Sequence, residues 1–271
     1  KMKRKYIYIA IPIAVFFVLI YLFLFGGLFP FSPVAFGFQK YEQENTIIYI
    51  QNGSTFQDYQ VIDFYLESVE VSHHLKFSEK PKIFIFSDEN SYLKRARTNA
   101  RFIAYPDRSL MASPWAIDES QEGIISLEIY LKHELSHILL NQNMGLIADI
   151  RYPKWLMEGI AMYTAEQMGT SIYPSKSQVY ELIREGNYFP PQFYKTNQEE
   201  DIQLNVENRI TFLYSEFACI VDYLIERYGE EKFHHYMTGL FTNTNHDEVF
   251  KQVFQIDFAD FQNKFVEYVR R

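Results

Sequence analysis

Leu131-Lys132-His133-Glu134-Leu135-Ser136-His137-Ile138-Leu139-Leu140 is the stretch on which the reading of this 271-residue chain turns. It lies in a segment, 127–142, whose apolar residues Ile129, Leu135, Ile138 and Leu139, with Ile125 just ahead, recur at helical spacing. A helix repeats about every 3.6 residues, so His133 and His137, four apart, stand one turn apart on one face. Two imidazoles so placed can reach one ion. Glu134, beside the first and offset around the helix, can bring its carboxylate to a water on that ion without displacing it. His-Glu-x-x-His therefore points to a zinc site with its own general base. The apolar residues bury the other side, so a metal face and a core face share one helix.

A catalytic zinc needs a third protein ligand and an open position. The segment Pro153-Lys154-Trp155-Leu156-Met157-Glu158-Gly159-Ile160-Ala161-Met162-Tyr163 supplies one. Glu158 sits in an otherwise apolar turn, where a lone buried carboxylate is costly and coordination offsets the cost. The expected metal set is His133, His137 and Glu158 around one Zn2+. Gly159 and Ala161 are small enough for this helix to approach the first one, with Trp155 packing at its start. The other histidines, His73, His74, His234, His235 and His246, read as hydrogen-bonded structural residues. Cys219, alone of its type, excludes an intrachain disulfide and a thiolate site. It falls in an apolar helical pattern, as a buried thiol does.

These residues resemble the peptidase MA-like family of gluzincins, in which a His-Glu-x-x-His helix is followed about twenty residues later by Trp-Leu-x-Glu-Gly-x-Ala. Trp155-Leu156-Met157-Glu158-Gly159-Ile160-Ala161 matches the second motif. Tyr214-Ser215-Glu216-Phe217, Val221-Asp222-Tyr223-Leu224 and Tyr228-Gly229-Glu230-Glu231-Lys232 extend the likeness loosely, so it covers 125–270, while 40–120 carries no signature. The resemblance implies a zincin-like fold and a zinc-dependent endopeptidase acting on a peptide or protein substrate. In that reading the metal acidifies a water, and Glu134 takes its proton and passes it to the leaving amine. Tyr214 would lie near the cleft as the donor to the developing oxyanion, with Tyr223, His234 and His235 as competitors. The substrate would add as a strand to a sheet edge, at 102–105 or 123–126. The alternative is a catalytically silent metallopeptidase-like ectodomain serving as a binding or sensory module.

Outward from the motif, the segment 6–25 (YIYIAIPIAVFFVLIYLFLF) holds no charged residue and has the length a helix needs to cross a core of roughly 30 Å. Lys1, Lys3, Arg4 and Lys5 precede it and favour the cytoplasmic side. A single-pass membrane protein follows as the expectation, its N-terminus cytoplasmic and its catalytic domain outside the cytoplasm. Tyr6, Tyr8 and Tyr21 would lie near the headgroups, and Pro12 would kink the span. A cleaved signal peptide fits less well, because the apolar run is long and 30–36 is a poor cleavage site. An intramembrane site-2-type protease is excluded, since Glu128, Lys132 and Asn141 surround the motif.

A content of 48% hydrophobic and 22% charged residues is globular, not disordered. The formal charge of −8 argues against nucleic acid as a partner. Strands are expected at 46–50, 82–86 and 102–105. Helices are expected at 56–69, 89–98, 127–142, 153–168, 176–186, 209–228, 230–241, 245–254 and 257–270. The expected organisation is a basic start and membrane anchor at 1–27, a linker at 28–45, and one zincin-like α+β domain at 46–271. That domain divides into an α/β half with the metal site, 46–170, and a helical half, 171–271, with the cleft at the seam.

Overall fold

A computed structural model of the chain describes residues 2–105, 109–243 and 245–271, the side chains of residues 2–7, 9, 10 and 146 falling outside the described set. Five short runs pair into one sheet: β1 (Phe38–Glu42), β2 (Ile47–Gln51), β3 (Lys82–Ile85), β4 (Phe102–Tyr105) and β5 (Ser109–Ala112). Their spatial order is β1-β2-β3-β5-β4. The inner pairs β2–β3 and β3–β5 are parallel, and the outer pairs β1–β2 and β4–β5 are antiparallel. Parallel neighbours need crossovers. Helices interleave with the strands for that reason: after α1 (Met2–Phe25), α2 (Ile62–His73) links β2 to β3, and α3 (Glu89–Ala96) follows β3. The first half is thus a mixed α/β arrangement, ahead of a second half that is helical.

Alternation along the strands sorts their side chains to two faces. Ile48, Ile83 and Leu110 are aligned by the register, as are Ile50, Ile85 and Ala112. All are buried in one cluster with Leu66 and Val69 of α2 and with Leu131, Leu135, Ile138 and Leu139. The latter four belong to α5 (Leu127–Asn143), which follows α4 (Pro114–Gln121). The intervening row, Phe84 and Met111, faces the opposite way, into a cluster with Phe29, Phe86, Tyr92 and Ala96.

The rest is helical: α6 (Leu146–Arg151), α7 (Lys154–Thr164), α8 (Lys176–Arg184), α9 (Arg209–Tyr228), α10 (Glu230–Gly239), α11 (His246–Phe254) and α12 (Phe258–Arg270). One large apolar cluster joins them, built on α9 residues Phe217, Ile220 and Leu224 and on Phe250, Phe261 and Phe265.

Residues 28–45 are not a linker. They carry β1, paired along its length with β2, and Phe29, which is 1% exposed and packs its ring against Phe38, Phe84 and Phe86. β1 was not foreseen because Phe38-Gln39-Lys40-Tyr41-Glu42 has the polar character of an edge strand.

The membrane anchor and the localisation built on it are likewise corrected. Among the described residues no helix is long and apolar enough to cross a membrane. The last turn of α1 packs against the domain. Arg95 donates from Nε to the Leu24 carbonyl at 3.1 Å and holds its guanidinium 5.4 Å from the Phe25 ring. The cytoplasmic and extracytoplasmic sides assigned from the charge asymmetry go with the anchor, as does a membrane partner for 6–25. Lys1, Lys3, Arg4, Lys5 and Tyr6, on which the orientation rested, lie outside the described side chains.

Candidate metal centre

α5 begins at Ser126, whose side chain accepts from the Ile129 N–H, and its apolar stripe pins it across the sheet. The opposite face holds His133 and His137, whose Nε2 atoms face each other at 3.2 Å. From α7, Glu158 places Oε2 at 3.5 Å from each of them. The three ligand atoms form a near-equilateral triangle. All three side chains are largely buried, between 8% and 13% exposed. His133, His137 and Glu158 are one of two groups among the described residues that could hold a metal ion.

The donors fit a zinc-type ion. Bonds of about 2.0–2.1 Å in a tetrahedron put neighbouring ligand atoms about 3.3 Å apart, close to the 3.2 and 3.5 Å edges here. Nδ1 of His133 and Nδ1 of His137 are buried without a hydrogen-bond partner. Two imidazoles opposed through Nε2, with neither Nδ1 bonded, are poorly served by each other alone. A cation at their common point with Glu158 satisfies both lone pairs. Burial pushes the Glu158 carboxyl up, but hydrogen bonds to His133 and His137 outweigh it and hold the group well below the carboxylate range.

Glu134 is half-buried beside the triangle. Burial pushes its carboxyl up to about 7, with the Glu158 charge adding to the shift and His133 and the Ala104 backbone N–H pulling the other way. Ala104 lies on β4, the terminal strand of the sheet. The unpaired side of that strand therefore runs beside Glu134. The other proposed edge, 123–126, is a turn leading into α5, with Gly123 at φ 72.

Tyr214, on α9, stacks its ring on His133 with the planes 10° apart. Burial, then the Glu158 charge, drives its phenol far above the ordinary range, so it stays protonated. Its hydroxyl accepts from Tyr194 at 3.4 Å. A cleft of about 560 Å³ between residues 170–174 and the first turn of α9 includes Thr211 and Phe212 in its walls. Tyr223 packs instead among Phe261, Phe265 and Tyr268, and His234 bonds the Ser72 carbonyl. Neither joins the triangle.

α7 lies against both α5 and α9, and Gly159 serves the contact with α9, not the one with α5 as expected. A Cβ there would lie 2.8 Å from the Phe217 carbonyl oxygen, so the glycine allows α7 to lie against α9. Cys219, on the same helix, is buried, with its thiol beside the Met168 sulfur at 3.7 Å.

Sequence reasoning missed Lys195. Its Nζ stands 3.6 Å from Glu158 Oε1, and it lies over the Tyr194 ring. It belongs to an irregular segment before α9, where no periodicity marks a direction for the side chain. His73, read as a hydrogen-bonded structural residue, is one, and its partner Ser136 on α5 is the part that sequence reasoning missed.

No protein-family model matches the chain, and no curated protein does either.

Proposed function

We propose that the protein is a zinc metallopeptidase of the gluzincin type, with His133, His137 and Glu158 holding one ion and Glu134 as general base. The observation that carries this reading is the ligand triangle, with a carboxyl of raised pKa next to it on the same helix. Zinc, when bound, supplies Lewis-acid polarisation of a carbonyl and acidifies a water. Glu134 takes a proton from the water as its oxygen bonds to the peptide carbon. It returns that proton to the amine nitrogen as the C–N bond breaks. Burial raises the Glu134 carboxyl above the ordinary carboxylate range, the direction that suits a group that takes up a proton and gives it back. Tyr214, kept as a neutral phenol, serves as hydrogen-bond donor to the oxyanion. The open edge of β4 supplies backbone N–H and C=O groups to an extended peptide.

One contact favours a second reading, a binding module without turnover: the Lys195 ammonium stands 3.6 Å from Glu158 Oε1, the oxygen turned away from the two imidazoles, and places a second positive charge beside the metal position. The experiment is metal analysis of the purified chain together with hydrolysis of a mixed peptide library, before and after chelation. The peptidase reading expects zinc near one equivalent and cleavage lost on chelation. It also expects cleavage lost in Glu134→Gln with metal content retained. Retained zinc without cleavage of any peptide favours the module.

A further inference from the structure

Where the end of α2 meets the start of α10, a second set of ligands converges. His74, Glu230 and His234 offer ligand atoms that all lie within 4.8 Å of one another. His74 Nε2 is 3.6 Å from Glu230 Oε1, and the His74 and His234 ring centroids are 3.8 Å apart. Together with His73, His235 and Thr238 they line a surface cleft of about 410 Å³.

His234 separates this set from a chance cluster of surface charges. It is 7% exposed, and its Nε2 lies 3.0 Å from the Ser72 carbonyl oxygen. A carbonyl only accepts, so Nε2 carries the proton and the lone pair of the neutral ring is on Nδ1. That Nδ1 is buried and has no hydrogen-bond partner. Metal-ligating histidines have this arrangement, in which the remote N–H donates to a backbone carbonyl and fixes both tautomer and ring orientation. The set is not part of the His133 triangle and contains none of its atoms.

We propose that His74, Glu230 and His234 form a second, separate site for a divalent ion of the zinc, nickel or copper class. Two imidazoles and one carboxylate select such ions over calcium or magnesium, which take all-oxygen shells. The spread of up to 4.8 Å exceeds the roughly 3.3 Å edge of a tetrahedral zinc shell. The two outer side chains, His74 and Glu230, are 58% and 61% exposed and have room to close on the fixed His234. An ion held there ties the end of α2 to the start of α10, linking the α/β half to the helical half. The inference does not depend on peptidase activity.

Titration of the chelator-stripped full chain with Zn2+, followed by calorimetry and by the melting temperature, tests it. The expected result is roughly one equivalent more than the His133 triangle accounts for. That equivalent should persist in the H133A/H137A double variant and disappear in H74A and in E230Q, whose exposed positions leave folding intact. Zinc should also raise the melting temperature of H133A/H137A, and the rise should vanish when H74A is added. Unchanged stoichiometry in both H74A and E230Q overturns the proposal, as does a single equivalent lost entirely in H133A/H137A or no binding at all. A single equivalent lost in H74A but kept in H133A/H137A supports this site and sinks the His133 centre.

Discussion

Ser136 Oγ and His73 Nε2 lie 2.8 Å apart, so the helix that bears His133 and His137 is tied to the end of α2 by a buried hydrogen bond. His73 also places Nδ1 at 2.8 Å from the Val69 carbonyl. Nδ1 therefore donates, and Nε2 accepts from the Ser136 hydroxyl. Only the neutral ring can do both.

Burial lowers the His73 pKa from 6.5 to about 4. The unfolded chain then takes up this proton first on acidification. Stability from His73 is complete above the unfolded pKa and is lost as pH falls from there through the folded value, by about 3 kcal/mol in all. Urea unfolding at pH 7, 5.5 and 4 measures this, and His73→Gln should flatten the slope. An equal slope in the variant would remove His73 as the cause.

Glu216 works in the opposite direction. Its carboxyl is fully buried, Oε1 accepts from the Phe189 N–H at 3.1 Å, and Oε2 has no partner. Burial raises its pKa well above 4.5. The folded state therefore keeps a proton that the unfolded chain releases, and the stability from this group declines as pH rises above the unfolded value. Glu216→Gln keeps the shape and the acceptor without the titration. Thermal melts should place the variant within about 1 kcal/mol of wild type at pH 5 and above it at pH 8. A variant less stable than wild type at pH 8 contradicts the assignment.

Gly159→Ala should be among the costlier small substitutions. The new Cβ meets the Phe217 carbonyl oxygen at 2.8 Å and its carbon at 3.0 Å, both backbone atoms that cannot rotate away. Separating α7 from α9 costs about 1–3 kcal/mol and displaces Glu158, the preceding residue, from its position opposite the two histidines. Equilibrium unfolding and zinc affinity, measured together, should both fall.

Tyr214→Phe keeps the ring on His133 and removes only the hydroxyl. If Tyr214 donates to the oxyanion, kcat on a cleaved peptide should drop by about 10²–10³, with KM and metal content nearly unchanged. Full activity in the variant assigns the stabilisation elsewhere, with Lys195 as the next residue to replace.

The sequence by itself determined the local geometry. Spacing of four residues on an amphipathic helix sets His133 and His137 on one face, and an apolar turn around Glu158 marks a carboxylate that must find a partner. The runs Ile47-Ile48-Tyr49-Ile50 and Lys82-Ile83-Phe84-Ile85 read as strands because branched and aromatic residues favour the pleat. Tertiary structure decided what depends on residues distant in the chain. β5, Ser109-Leu110-Met111-Ala112, has no strand-like composition and is held by its neighbours on both sides. Gly159 looked like a means of approach to α5, but the Phe217 carbonyl on α9 is what it accommodates. An apolar run read as a span ends against Arg95, a charge that lies far along the sequence. Lys195 reaches Glu158, and His74 meets His234, for the same reason: period and composition describe a residue's own element, whereas a contact between elements is set by how they pack.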